Sequence, residues 1–177
     1  MKKALVLILL SLILGNAMSQ TEQMNIIKGS PLSLLLLTGS VFYEHKIDDK
    51  HSWQLGLASV NFNLFGNGYN GIMITPEYRI YVHKDALAGL YIGPFLRYQN
   101  FKLETGYATG KYSSFGGGVL LGRQWIYKKG FVIDIYIGPI YNAGFISNKS
   151  ETETFHKPGP AFDGLGIRPG IAIGYSF

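Results

Sequence analysis

From Gly166 to the end of the chain, large apolar residues alternate with small or polar ones without a break. Leu165, Ile167, Ile171, Ile173, Tyr175 and Phe177 fall on one side of an extended strand, and Gly166, Arg168, Gly170, Ala172, Gly174 and Ser176 on the other. The same period of two recurs upstream. Phe131, Ile133, Ile135, Ile137 and Tyr141 oppose Asp134, Tyr136, Gly138 and Asn142, and Ile72, Ile74, Tyr78, Ile80 and Val82 oppose Thr75, Glu77, Arg79 and Tyr81. A third set places Leu90, Ile92, Leu96 and Tyr98 against Tyr91, Gly93, Phe95, Arg97 and Gln99. In every case one face is uniformly apolar while the other mixes glycine, rings and charges. A narrow barrel that is apolar outside and crowded inside has that signature.

The alternation predicts strands near 25–34, 38–47, 52–64, 72–83, 87–101, 112–126, 130–142 and 165–177, an all-β, eight-stranded antiparallel up-and-down barrel. Short polar turns at 47–51, 83–86 and 127–130 alternate with longer Gly/Asn/Ser/Thr-rich stretches near 65–71, 103–111 and 143–164. Transmembrane barrels pair short periplasmic turns with longer extracellular loops, so both termini are expected in the periplasm. The first strand has the weakest period, because Pro31 and the run Leu34 to Leu37 interrupt it. Two other places resist. Arg123 falls on the outward face between Leu121 and Trp125, which calls for a side chain reaching to the rim or a bulge. The third strand changes parity between Leu57 and Val60, which a β-bulge near Ser59 would explain. Tyr91-Ile92-Gly93-Pro94 recurs as Tyr136-Ile137-Gly138-Pro139, and each proline is expected to mark a bulge or bend. Rings near strand ends suggest girdles, with Trp53, Trp125, Tyr127 and Phe131 at one rim and Phe62, Phe65 and Tyr112 at the other.

Composition adds an address. Lys2 and Lys3 precede an apolar run from Ala4 to Leu14, and Ala17-Met18-Ser19 stands before Gln20, as in a cleavable secretory signal over 1–19. The barrel domain then covers 20–177. Removing the leader takes two of the 16 bases and none of the 11 acids, leaving an excess of +3, too mild for a nucleic-acid partner. Cysteine is absent, so disulfides, thiolate metal sites and a lipidated cysteine are excluded. Glycine, at 23 of 177 residues, exceeds the ordinary share of roughly 7%. On an inner face it leaves room for the few large side chains that fill the lumen.

Seven charged residues are predicted to point inward: Glu44, Lys46, Glu77, Arg79, Arg97, Asp134 and Arg168. Enclosed charges must pair, because an isolated one carries a desolvation penalty of several kcal/mol. They are expected to form a lumen network that plugs the barrel, in preference to a polar pathway for solutes. Catalytic patterns are thin. His45, His51, His83 and His156 show no metal-ligand spacing, and a cluster of His51 and His83 with Asp48, Asp49 and Asp85 would lie in solvated turns, so no metal or cofactor is expected. Ser113, Ser114 and His156 are the only candidates for a lipid A-modifying Ser/His pair, and no nucleophile elbow supports them. The stretch from Ser147 to Thr154 reads as a solvated loop that could meet an extracellular partner.

Several segments together carry a resemblance: Ile27 to Leu34, Tyr43-Glu44, the two Tyr-Ile-Gly-Pro strands, Gly122-Arg123-Gln124-Trp125, and the aromatic last strand. Over nearly the whole mature chain the sequence resembles a family of small outer-membrane barrel proteins of Bacteroidota with no established function, similar in general form to the OmpA, OmpX and OmpW kind. The resemblance implies insertion by the barrel-assembly machinery, with Tyr175 and Phe177 as its signal, and outer-membrane lipid and lipopolysaccharide as surroundings. It implies no catalytic residues. The expected function is a non-enzymatic barrel with a structural or adhesive role through its extracellular loops. A narrow OmpW-like pore for small or hydrophobic solutes is the alternative, followed by a lipid A-modifying enzyme. A lipocalin-like carrier would need the reverse polarity.

Overall fold

The computed structural model describes residues 23–35, 38–64, 67–82, 86–105, 108–148 and 163–177. The expected leader, His83, Asp85, His156, Phe65 and residues 149–162 lie outside these, as does the side chain of Phe62. Among the described residues, eight antiparallel strands close a barrel: β1 (Asn25–Gly29), β2 (Thr38–Lys46), β3 (His51–Leu64), β4 (Asn67–Tyr81), β5 (Gly89–Thr105), β6 (Ala108–Ile126), β7 (Phe131–Asn148) and β8 (Gly164–Ser176). Each strand pairs with its sequence neighbour, and β1 closes on β8. Asn25 and Phe177 exchange backbone hydrogen bonds of 3.0 and 2.8 Å, so both ends of the described barrel lie at one rim, here the near end.

The alternation sorts side chains as the sequence predicts. Ile135, Ile137, Leu165, Ile167 and Ile171 are exposed on the outer wall, whereas Asp134, Tyr136, Arg168 and Ala172 are buried inside. Arg123 is on the outer wall in unbroken register opposite Ile135, with its guanidinium 5.2 Å from the centre of the Trp125 ring, so no bulge redirects it.

Four expectations about the wall are corrected. The register of β3 with β4 runs unbroken through Ser59↔Ile72, so there is no bulge there; Val60 is buried inside, and Ser59 and Asn61 face outward. The outward face of β3 simply turns polar there. Secondly, the far-end stretches near 65–71 and 103–111 are largely strand, since β4 begins at Asn67, β5 runs to Thr105 and β6 begins at Ala108. Ladder pairing persists there although apolar alternation does not. Thirdly, Pro94 and Pro139 cause no bulge: pairing lapses on one side of each while the register on both sides of the lapse is unchanged. A proline removes one ladder donor without adding a residue. Finally, Tyr112 is an interior residue, fully buried and stacked on Phe101 with ring centroids 6.2 Å apart. Among the described residues the outward rings at that end are Tyr98, Phe115, Tyr141 and Phe145.

The first strand is the other departure. Instead of continuing to 34, the chain leaves β1 at Gly29 and forms a short helix, α1 (Pro31–Leu35). Ser30 caps it: its Oγ accepts from the Ser33 N–H at 3.2 Å, and the Ser33 hydroxyl donates to the Ser30 carbonyl at 2.8 Å. Proline follows the cap, where its missing N–H has no partner to lose. Among the described residues β1 therefore pairs with β8 only from Gly29↔Ile173 to Ile26↔Ser176. Among the described residues the upper part of β8 has no ladder partner on that side. A pocket of about 450 Å³ opens there on the outer wall, lined by Gly29, Ser30, Pro31, Leu34, Gly39, Ser40, Val41 and Ile173.

Inside, rings lie against glycines. A Cβ built on Gly122 would run into Tyr91, one on Gly170 into Tyr136, and one on Gly144 into Tyr112. Gly170 has no positive φ, so its role is space. Gly170→Val is therefore expected to displace Tyr136 and to lower unfolding stability by about 1 to 3 kcal/mol, the usual range for overpacking. Urea titration of the refolded protein measures this, and an unchanged midpoint contradicts the packing.

At the near end a connecting residue packs into the barrel. Leu87, in the connection between β4 and β5, adopts φ 80, a left-handed conformation that side chains rarely take, and is buried against Ile26 and Val132. Ala86 N–H donates to the Asp49 carbonyl at 2.9 Å, tying two near-end turns together. In the β2–β3 turn the Asp48 carboxylate accepts from the Lys50 and His51 amides at 2.8 and 3.0 Å and meets His51 Nδ1 at 2.8 Å. The Lys50 amide and the His51 side chain hold its pKa below the ordinary 3.8.

Candidate functional site

The lumen is crossed by one polar network to which every strand contributes. At its centre Lys28 of β1 uses all three ammonium donors, on Glu44 Oε2 at 2.6 Å, Gln124 Oε1 at 2.6 Å and Asp134 Oδ2 at 2.9 Å. Arg79 of β4 faces it. Its Nε donates to Glu77 Oε1 at 2.7 Å, and its Nη1 reaches Asp134 Oδ2 at 2.9 Å and Glu44 Oε2 at 3.2 Å. The second oxygen of Glu44 accepts from Ser52 of β3 at 2.6 Å and Tyr81 at 2.7 Å, while Asp134 Oδ1 accepts from Tyr91 of β5 at 2.9 Å. Gln124 of β6 donates to the Leu87 carbonyl at 2.8 Å, joining the network to the near-end plug. Arg168 of β8 completes the circle through Glu77 Oε2 at 3.4 Å.

Why these residues meet follows from the pleat. They lie on the inner face of their strands, and glycines opposite give the long ones room: a Cβ on Gly174 would crowd Lys28, and one on Gly93 would press on Glu77. Because the side-chain period is two, a slip of one residue in any strand would turn its member of the network outward. Glu44, Arg79 and Asp134 are 0 % exposed, and Lys28 is 2 % exposed. The lumen is filled at this level.

Of the seven charges read from sequence, Glu44, Glu77, Arg79, Asp134 and Arg168 join the network. Lys46 does not. It faces in at the near rim, where its Nζ lies 3.5 Å from Asp49 in the adjoining turn; two residues past Glu44, it is below the sealed layer. Arg97 points inward as expected but stands apart from the carboxylates: among the described residues no acid comes within ion-pairing distance, its guanidinium carbon lies 5.9 Å from the centre of the Phe95 ring, and its Nε is buried without a partner. The missed residue is Lys28. Adjacent Ile26 and Ile27 hide the period of β1, and only the pairings Lys28↔Phe42 and Lys28↔Gly174 fix which way it points.

The Ser/His candidates are not brought together as a pair in the described residues. Ser113 receives the Asn100 amide at 2.9 Å, whereas Ser114 is inside the barrel, accepting from Gln99 at 2.8 Å. His45 meets Asn25 at 2.8 Å, and His51 stacks on Tyr78. Tyr175 and Phe177 face outward at the near end.

A family model described as "Protein of unknown function (DUF3575)" matches residues 5–158, well over half of the chain. The chain belongs to the DUF3575 family. That match takes in the strands from β1 to β7, and so every member of the network except Arg168. No curated protein matches the chain, and no solved structure does. For this DUF3575 protein the functional reading therefore rests on the lumen and the wall.

Proposed function

We propose that the protein is a non-enzymatic integral outer-membrane barrel with a closed lumen, serving a structural or adhesive role through its far-end, extracellular surface. On this reading the leader is cleaved between Ser19 and Gln20, both mature termini stay in the periplasm, and the barrel-assembly machinery inserts the chain by way of Tyr175 and Phe177. Lipid and lipopolysaccharide then surround the wall.

The sealed layer at Lys28, Glu44, Arg79 and Asp134 carries the proposal, because a cross-section packed with fully buried ion pairs leaves no continuous water path. The wall supports the location: large apolar side chains are exposed all round it, as lipid requires and water penalises. Trp53, Tyr127 and Phe131 gather at the near rim like an interfacial girdle, and Arg123 lies against Trp125, where a long cation can reach polar headgroups. The engaged hydroxyls of Ser113 and Ser114 favour a role other than hydrolysis.

Planar-bilayer recordings of the refolded protein test this reading. Electrically silent insertions are expected; discrete, solute-selective conductance overturns the closed barrel. The wall pocket beside α1 favours a second reading, a lateral site for hydrophobic solutes on an OmpW-like plan. Uptake of a hydrophobic solute by vesicles containing a silent barrel would support that reading over a purely structural one.

A further inference from the structure

We propose that the lumen above the sealed layer holds a binding site for a small oxyanion, such as inorganic phosphate or a carboxylate, built from Arg97, Arg168 and Asn142. Charge pairing is the first observation. Four cations face the described lumen beyond the near rim, Lys28, Arg79, Arg97 and Arg168, with the carboxylates of Glu44, Glu77 and Asp134 among them and that of Asp163 at the far end, held by the Tyr112 hydroxyl and the Gly144 N–H. The first three carboxylates are already bound by cations: Glu44 and Asp134 each by Lys28 and Arg79, and Glu77 by Arg79 and Arg168. Among the described residues Arg97 is the one of these four cations with no acid within ion-pairing distance. Enclosed charges are stable only when paired, so this one calls for an anion that the described residues do not supply.

Geometry gives the site its form. The guanidinium carbons of Arg97 and Arg168 lie 5.9 and 4.5 Å from the centre of the same Phe95 ring, which brings two cations to one part of the lumen. Arg168 spends only Nη1 on Glu77, at 3.4 Å, leaving other donors of its fork for a second partner. Arg97 Nε and Asn142 Nδ2 are both buried donors without a hydrogen-bond partner. Asn142 and Arg97 belong to one row of the wall, since each is opposite Gly116, one across β6–β7 and the other across β5–β6. Gly116 contributes no side chain between them.

Buried donors left empty in a native fold point to an absent partner. Planar guanidinium forks with an added amide N–H suit the spread oxygens of a phosphate or carboxylate better than a point anion. Arg97 is partly exposed, which leaves the site a route to solvent. Below it lies the buried ionic network. Since the site is inside the barrel, it does not depend on what surrounds the outer wall.

The test is thermal unfolding of the refolded full chain in a neutral detergent, with sodium phosphate replacing sodium chloride at constant ionic strength. The wild-type midpoint is expected to climb steadily over roughly a hundredfold range of phosphate, as binding to the folded state requires. Arg97→Met should abolish the climb while raising the midpoint in phosphate-free buffer, because the unpaired cation is gone. Equal climbs in both proteins, or none in either, overturn the site. Should Arg97→Met not refold, calorimetric titration of the wild type with phosphate decides: saturable heat that Arg97→Lys weakens supports the site, and an absence of saturable heat overturns it.

Discussion

Arg79→Met is expected to lower the stability of the folded barrel by about 3 to 5 kcal/mol, the range for removing one partner from a buried ionic cluster. Arg79 touches the three carboxylates of the network, Glu44, Glu77 and Asp134. Without it Lys28 can still serve Glu44 and Asp134, but Glu77 keeps only the longer contact to Arg168 at 3.4 Å. The loss then measures uncompensated carboxylate more than a vanished attraction. A double variant, Arg79→Met with Glu77→Gln, should recover part of it, because one of the stranded charges is removed as well. Urea unfolding in lipid vesicles reads both values. A loss below about 1 kcal/mol for the single variant, the median worth of an exposed ion pair, would mean that water reaches the cluster and that the lumen is not sealed.

Ile137→Arg should cost about 2 to 4 kcal/mol in a bilayer, the depth-dependent penalty for a cation at the middle of a barrel's lipid face. Ile137 is suited to the test because it is exposed on the wall between Leu121 and Pro169, away from the turns at either end. Ile135 is a poorer choice, since Arg123 is directly opposite and would repel the new charge. Placed on an outer wall bathed in water, the same substitution would shift stability by no more than a few tenths of a kcal/mol. The measurement therefore separates a membrane barrel from a soluble one, and the outward exposure of the apolar belt makes the first outcome the expected one.

Much of the barrel was legible because alternation is a local property. Strands β4, β5, β7 and β8 each carry enough consecutive large residues on one face for the period to declare itself, and their inward members, Glu77, Arg97, Asp134 and Arg168, followed by parity. Legibility ended where the outer face stopped being apolar. Beyond Val60 and Phe101 the wall turns polar, so the extended ribbons of β3 to β6 resemble loops in composition although their ladders continue. Tyr112 shows the same limit: near a strand end an aromatic suits a girdle or a filled interior equally well, and only its pairing with Ile146 and its place over Gly144 put it inside.

The amino-acid order by itself determined the fold class, the strand count and which face of most strands turns inward, because each depends on residues two apart in one chain. Only the closed barrel decided how the inward charges are shared. Lys28 meets Asp134 across 106 positions, and Arg168 meets Glu77 across 91. Such partners are set by the register of all eight strands together, which no single strand encodes. The short reach of β1, the turn of Lys46 toward Asp49 and the isolation of Arg97 arise in the same way, from where ring closure leaves each side chain once the others have found their places.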